Sequence, residues 1–227
     1  MKILNQKKQF MIFIGILVLI ACIITGYMLI PGDKKIAKDV SKIDMDTLPI
    51  KTMKASYAYD ISDKRIAVGV ADYVFVGNVL SNDGVVYEDL VPMEDQDGNT
   101  VEVGNPYTHY TVQVLENMKG ELRTEEPIKV VKDGGVAQDG EAIYIYEEDC
   151  LPQVGQAYIF LAYAQEDGSL LISGMDSNIP LETKSNATKR MVENTNSYEA
   201  YKMAIKNEII PKGCKRDTSI YDIKEKK

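Results

Sequence analysis

Residues 73–84 read Tyr73-Val74-Phe75-Val76-Gly77-Asn78-Val79-Leu80-Ser81-Asn82-Asp83-Gly84, a run rich in β-branched and aromatic side chains closed by a turn signal. Such a run predicts a strand that ends at Ser81–Gly84. Further strand signals follow at short intervals. Asp97-Gly98-Asn99 precedes Thr100-Val101-Glu102-Val103 and predicts a hairpin with a primed turn. Tyr110 to Leu115 alternates, with Tyr110, Val112 and Val114 on one face. Ile128–Val131, Ala142–Tyr146, Tyr158–Tyr163 and Leu170–Ser173 complete the series, the last two flanking the turn Glu166-Asp167-Gly168-Ser169. Six or seven short strands within one stretch of this length predict a mainly β chain, built as a small antiparallel barrel or sandwich.

Upstream, Phe10 to Ile30 reads FMIFIGILVLIACIITGYMLI, 21 residues without a charge. About 20 apolar residues suffice for a helix to cross roughly 30 Å of hydrocarbon. Lys2, Lys7 and Lys8 precede the run. The positive-inside rule then places residues 1–9 in the cytoplasm, 10–30 as a transmembrane anchor, and the rest beyond the membrane. A second reading stands beside it. Leu19-Ile20-Ala21-Cys22 has the form of a bacterial lipobox, and resemblance to lipoprotein signals implies cleavage before Cys22 and lipidation of its sulfur. The apolar continuation from Ile23 to Ile30 favours the uncleaved anchor. Either way the same domain is exported, as a single-pass or lipid-tethered protein of the cell membrane.

Residues 31–55 are polar, open with Pro-Gly and lack an apolar period, which predicts a stalk. Residues 56–180 suffice for one core and not for two. Residues 181–227 form a charged tail with a helix near 197–209, where Asn196 and Glu199 have a capping-box-like spacing. That helix either packs on the barrel or sits loose. A second short helix is expected over Ser62–Ala71, entering the first strand.

The chain carries a net charge of −8, and removing Lys2, Lys7 and Lys8 takes the remainder to −11. An acidic exported domain repels phosphate backbones, so no nucleic acid partner is expected. Lysine far outnumbers the four arginines (Arg65, Arg123, Arg190 and Arg216), a bias typical of low-GC bacterial sequences.

The segment Ala71-Asp72-Tyr73-Val74-Phe75-Val76-Gly77-Asn78-Val79 resembles the opening strand of netrin-like domains, relatives of the tissue inhibitors of metalloproteinases. Tyr107 to Gly120, ending in Met118-Lys119-Gly120, and Gly155-Gln156-Ala157-Tyr158-Ile159-Phe160 continue the likeness. The resemblance covers about 100 residues and implies an OB-like barrel with the N-terminal transmembrane helix before it and the C-terminal helix after it. It does not carry zinc-directed inhibition, because the exported domain lacks the free N-terminal cysteine that reaches the enzyme's metal.

Cys150 and Cys214 are the exported cysteines. They form either a disulfide, which would contribute about 3–4 kcal/mol in the chain-entropy account, or two free thiols. Sortases, which also join an N-terminal anchor to a β-barrel, offer an enzymatic alternative. It is a cysteine transpeptidase using His109 and Cys150 with Arg190 or Arg216. Glu147-Glu148-Asp149-Cys150 departs from that family's Thr-Leu-x-Thr-Cys strand, and three carboxylates beside a thiol oppose thiolate formation. His109 alone does not make a zinc site. Glu94 to Asn99 fails as a calcium loop, since Met93 and Gly104 occupy the first and twelfth ligand positions. No serine elbow, phosphate loop or zinc protease motif occurs. Tyrosine is abundant, at 14 residues against four phenylalanines and no tryptophan. Exposed tyrosines would anchor contacts, whereas buried ones would line the barrel, and the buried reading is preferred. No cofactor, metal or catalytic residue is expected. The sequence therefore predicts a non-catalytic surface module that binds or assembles with a protein or cell-envelope component.

Overall fold

The structure, a computed structural model, describes residues 35–38, 40, 43–95, 97–183 and 187–223. The anchor reading of 10–30 and the lipidation reading of Cys22 fall outside these residues. Among the described residues no helix is long and apolar enough to cross a membrane.

Among the described residues ten strands, three α-helices and a 3-10 turn (Met45–Thr47) follow one another along the chain. The strands are β1 (Ile36–Lys38), β2 (Ile50–Met53), β3 (Tyr73–Glu94), β4 (Thr100–Lys119), β5 (Ile128–Asp133), β6 (Gly135–Val136), β7 (Ile143–Tyr146), β8 (Ala157–Ala164), β9 (Leu170–Ile172) and β10 (Asn178–Pro180). Helix α1 spans Lys64–Val70, α2 Lys189–Val192 and α3 Asn196–Lys206.

Seven strands run in the order β1-β3-β4-β5-β9-β8-β10, and β3 pairs also with β8. The ring β3-β4-β5-β9-β8 thereby closes into a five-stranded barrel. It is antiparallel except for the parallel pair β5–β9, which the sequence did not foreshadow. A separate sheet, β2-β7-β6, includes the parallel pair β2–β7.

Apolar patterning explains the layers. On β4 burial alternates, with Thr108, Tyr110, Val112 and Val114 inward. Tyr110, Val112 and Val114 meet Phe75, Ile128, Val130, Tyr158, Phe160, Leu170 and Ile172 inside the barrel. The first part of β3, Tyr73–Val79, and β8 are buried on both faces, so they read as nearly continuous apolar runs. Their outward side chains Val74, Val76, Ile159 and Leu161 pack against Val68 of α1, Val192 of α2 and Tyr201 of α3. A third cluster joins Val85, Tyr87, Val136, Ile143 and Val40. Six tyrosines (Tyr73, Tyr87, Tyr110, Tyr158, Tyr198 and Tyr201) are buried.

Several local expectations change. Ser81-Asn82-Asp83-Gly84 does not end the first strand, because pairing with β4 continues through irregularities at Val79/Ser81 and Asn82/Gly84. Gly84, at φ +104, lets the bulged chain turn there without a Cβ penalty. The hairpin turn is longer than a two-residue primed turn. Asp95 N–H bonds to Asn99 O at 2.9 Å, and Gly98 takes φ +83. Asp95 Oδ1 accepts the backbone N–H groups of Asp97 and Asn99, so this carboxylate serves the turn itself.

The segment read as a stalk contributes β1, paired with Val85–Tyr87, and β2, paired with β7. The charged tail lies against the barrel through α3, and Leu122 bridges Asp222. Thr195, not Asn196, caps α3, its Oγ1 accepting Tyr198 N–H at 3.3 Å.

Candidate functional site: a cleft over a buried lysine–aspartate pair

A cleft of about 880 Å³ opens between the turn after β7 and the segment entering β2. Met45, Leu48 and Ile50 line one side, and Leu151 and Val154 the other. Ile50 and Val154 are 65% and 58% exposed, an apolar surface that folding alone leaves unused. In the order β2-β7-β6 the strand β2 is terminal, and among the described residues no strand pairs with its outer edge.

Asp149, which lines the cleft, belongs to a buried ion pair. β5 places Lys132 on the same inward face as Ile128 and Val130, with its side chain fully buried. A tight turn closed by Asp149 N–H to Tyr146 O, with Glu148 at φ +60, folds Asp149 inward. A left-handed backbone at a residue other than glycine costs of order 1 kcal/mol, and here it serves to aim one carboxylate. The side chains of Lys132 and Asp149 are 0% and 2% exposed, and Nζ meets Oδ2 at 2.5 Å. Lys132 Nζ also donates to Ser177 Oγ at 2.8 Å. Asp149 Oδ1 accepts the Cys150 N–H at 2.8 Å. Burial lowers the Lys132 pKa and raises that of Asp149, while each partner's charge opposes the effect.

Cys150 lies at the cleft wall, exposed as a residue but with its sulfur held by Asn178 Nδ2 at 3.2 Å. Asn178 Nδ2 also donates to the Cys150 carbonyl at 3.0 Å. Burial raises the thiol pKa, and the Asp149 charge adds to it. Glu147 and Glu148 are not among the causes. This thiol is the opposite of an activated nucleophile.

The structure does not bring the other sequence-chosen residues to Cys150. His109 precedes the inward Tyr110 on β4 and so projects to the other face. The charged groups around its ring are Glu88, Lys35, Asp83 and Lys129, and burial lowers its pKa. Cys214 is a free thiol in a separate cavity of about 360 Å³ with Tyr57 and Tyr163. Arg216 donates to the Asp72 carbonyl at 3.1 Å, a structural contact. Among the described residues no cluster of three or more His, Cys, Asp or Glu side chains could hold a metal ion.

Sequence reading missed Lys132, Ser177 and Asn178. The available signal was parity, because Lys132 continues the Ile128–Val130 alternation that the expected strand cut off at Val131. No family model and no curated protein sequence matches the chain.

Proposed function

We propose that the chain is a non-catalytic binding or assembly module, anchored through its N-terminus and acting outside the cytoplasmic membrane on a protein or cell-envelope component. The observation that carries this is the cleft, apolar on both sides and flanked by the open edge of β2. An extended segment of a partner protein fits such a place, since β2 offers backbone hydrogen bonds and the cleft offers room for apolar side chains. The most exposed apolar side chains there, Ile50 and Val154, are aliphatic. The raised thiol pKa of Cys150 also favours binding over catalysis.

The barrel supports kinship with OB-type, netrin-like domains. Numbered along the chain, its strands ring in the order first, second, third, fifth, fourth, with the third and fifth parallel. Resemblance at that level concerns architecture, and function rests on the cleft.

The test is affinity capture from envelope fractions with the full chain as bait, quantified by mass spectrometry. The bait is compared with an Ile50→Asp/Val154→Asp double variant and with an Ile210→Asp control, Ile210 being exposed away from the cleft lining. A partner lost only by the double variant supports the reading. Capture indifferent to the cleft, or turnover of cell-wall peptides abolished by Cys150→Ala, overturns it.

A further inference from the structure

We propose that Lys132 and Asp149 condense into an intramolecular isopeptide bond, Nζ to Cγ, that staples β5 to the turn after β7. The starting point is geometric. Nζ lies 2.5 Å from Oδ2, one covalent bond from Cγ, which places amine and carbonyl carbon near the reacting separation of roughly 3–3.5 Å. Both side chains are sealed from solvent, so neither is dispersed by competing water.

The surrounding groups suit each stage. Proton transfer across the short contact converts the ammonium–carboxylate pair into amine and carboxylic acid. Burial favours those neutral forms, lowering the lysine pKa and raising that of the aspartate. The amine lone pair then attacks Cγ, and the negative charge that develops on Oδ1 is met by the Cys150 N–H already bonded there. The proton on nitrogen passes to Oδ2, directly or through the Ser177 hydroxyl that touches Nζ. Oδ2 leaves as water. One C–N bond forms, one C–O bond breaks, and the ion pair becomes one amide plus one water with no change in net charge and no redox partner.

The product is as well bonded as the reactants. Its carbonyl oxygen keeps the Cys150 N–H, and its amide N–H faces Ser177 Oγ. Two buried charges, whose desolvation an ion pair only partly repays, are replaced by a neutral group. The bond closes the 17-residue separation from Lys132 to Asp149 beneath the cleft, fixing the wall that carries Cys150.

The experiment is intact-mass measurement and tryptic mapping of the full wild-type chain, reduced and denatured after purification in the folded state. The expected result is a single internally looped peptide, residues 130–184, uncut by trypsin after Lys132 and one water lighter than the same linear sequence. Cys150→Ala should keep that peptide, because the assisting group is a backbone N–H. Lys132→Arg should lose it and return the mass to the sequence value. Recovery of Lys132 and Asp149 only in linear, unmodified wild-type peptides overturns the proposal. So does a water loss that maps to an Asp-Gly step such as Asp133-Gly134, or one that persists in Lys132→Arg.

Discussion

The hydroxyl of Tyr73 donates to Asp222 Oδ2 at 2.8 Å and accepts the Ser219 N–H at 2.9 Å, tying the start of β3 to a segment 149 residues later. Burial of this ring pushes its phenol up to about 12. Tyr73→Phe keeps the ring in the core and deletes both bonds, leaving the buried Ser219 amide without its partner. The expected loss is about 1–3 kcal/mol in urea unfolding, with earlier proteolysis near residues 217–223. Unchanged stability and cleavage would remove the strap from the account.

Gly69 on α1 accommodates the Ile209 carbonyl where a side chain would stand, and Ile209 N–H bonds to Arg65 O at 3.0 Å. A methyl group there meets backbone, which cannot swing away as a flexible side chain can. Gly69→Ala gains about 1 kcal/mol of helix propensity and loses more to the clash. A net destabilisation of about 1–2 kcal/mol, with faster hydrogen exchange at Ile209, is the expected outcome. A stabilised variant would show that the segment shifts at no cost.

Asp83 accepts from Lys129 Nζ at 2.6 Å and from Thr111 Oγ1 and Ser81 Oγ, both at 2.7 Å. Burial pushes its pKa up, and the bonds from Lys129, Ser81 and Thr111 outweigh that and hold it below the ordinary value. A lowered folded-state pKa contributes stability that is fully present above the unfolded value near 3.9 and is lost as pH falls through the folded one. Asp83→Asn should therefore cost under about 1 kcal/mol at neutral pH, the pair being partly exposed, and progressively less in acid. A penalty that grows in acid would contradict the sign.

Cys150 should alkylate slowly. Its thiol is raised first by burial and then by Asp149, against the opposing pull of Lys132 and Asn178. The thiolate is the reactive form, so iodoacetamide labelling followed by peptide mapping at neutral pH should give a rate at least about threefold below that of free cysteine. A rate above that of free cysteine would revive nucleophilic chemistry at this position.

Strand grammar was legible wherever one face is buried and the other is not. Tyr110, Val112 and Val114 sit inward as their spacing requires, and Leu170–Ile172 returns beside β8 through the expected turn, where Gly168 N–H bonds to Gln165 O. Ser81–Gly84 misled because turn-forming residues also suit a bulge, and only the distant partner β4 distinguishes the two. β1 and β2 carry little propensity of their own and take their order from Val85–Tyr87 and β7. The cleft was illegible for a related reason. Its lining residue Asp149 pairs with Lys132, which also bonds Ser177, a set that no local motif links, and the decisive cue was one lysine at an inward position.

Barrel closure sets how this chain must fold. The closing ladder joins Tyr73–Asn78 to Ala157–Ala162, with Val76 opposite Ile159 across more than 80 intervening residues. The β3–β4 hairpin forms from neighbours in sequence, whereas the closing ladder waits for most of the domain to emerge. Such high contact order points to folding in milliseconds to seconds, with the Tyr73–Asn78 edge of β3 unpaired until β8 arrives. During synthesis, that interval is when the chain most needs protection from its own copies.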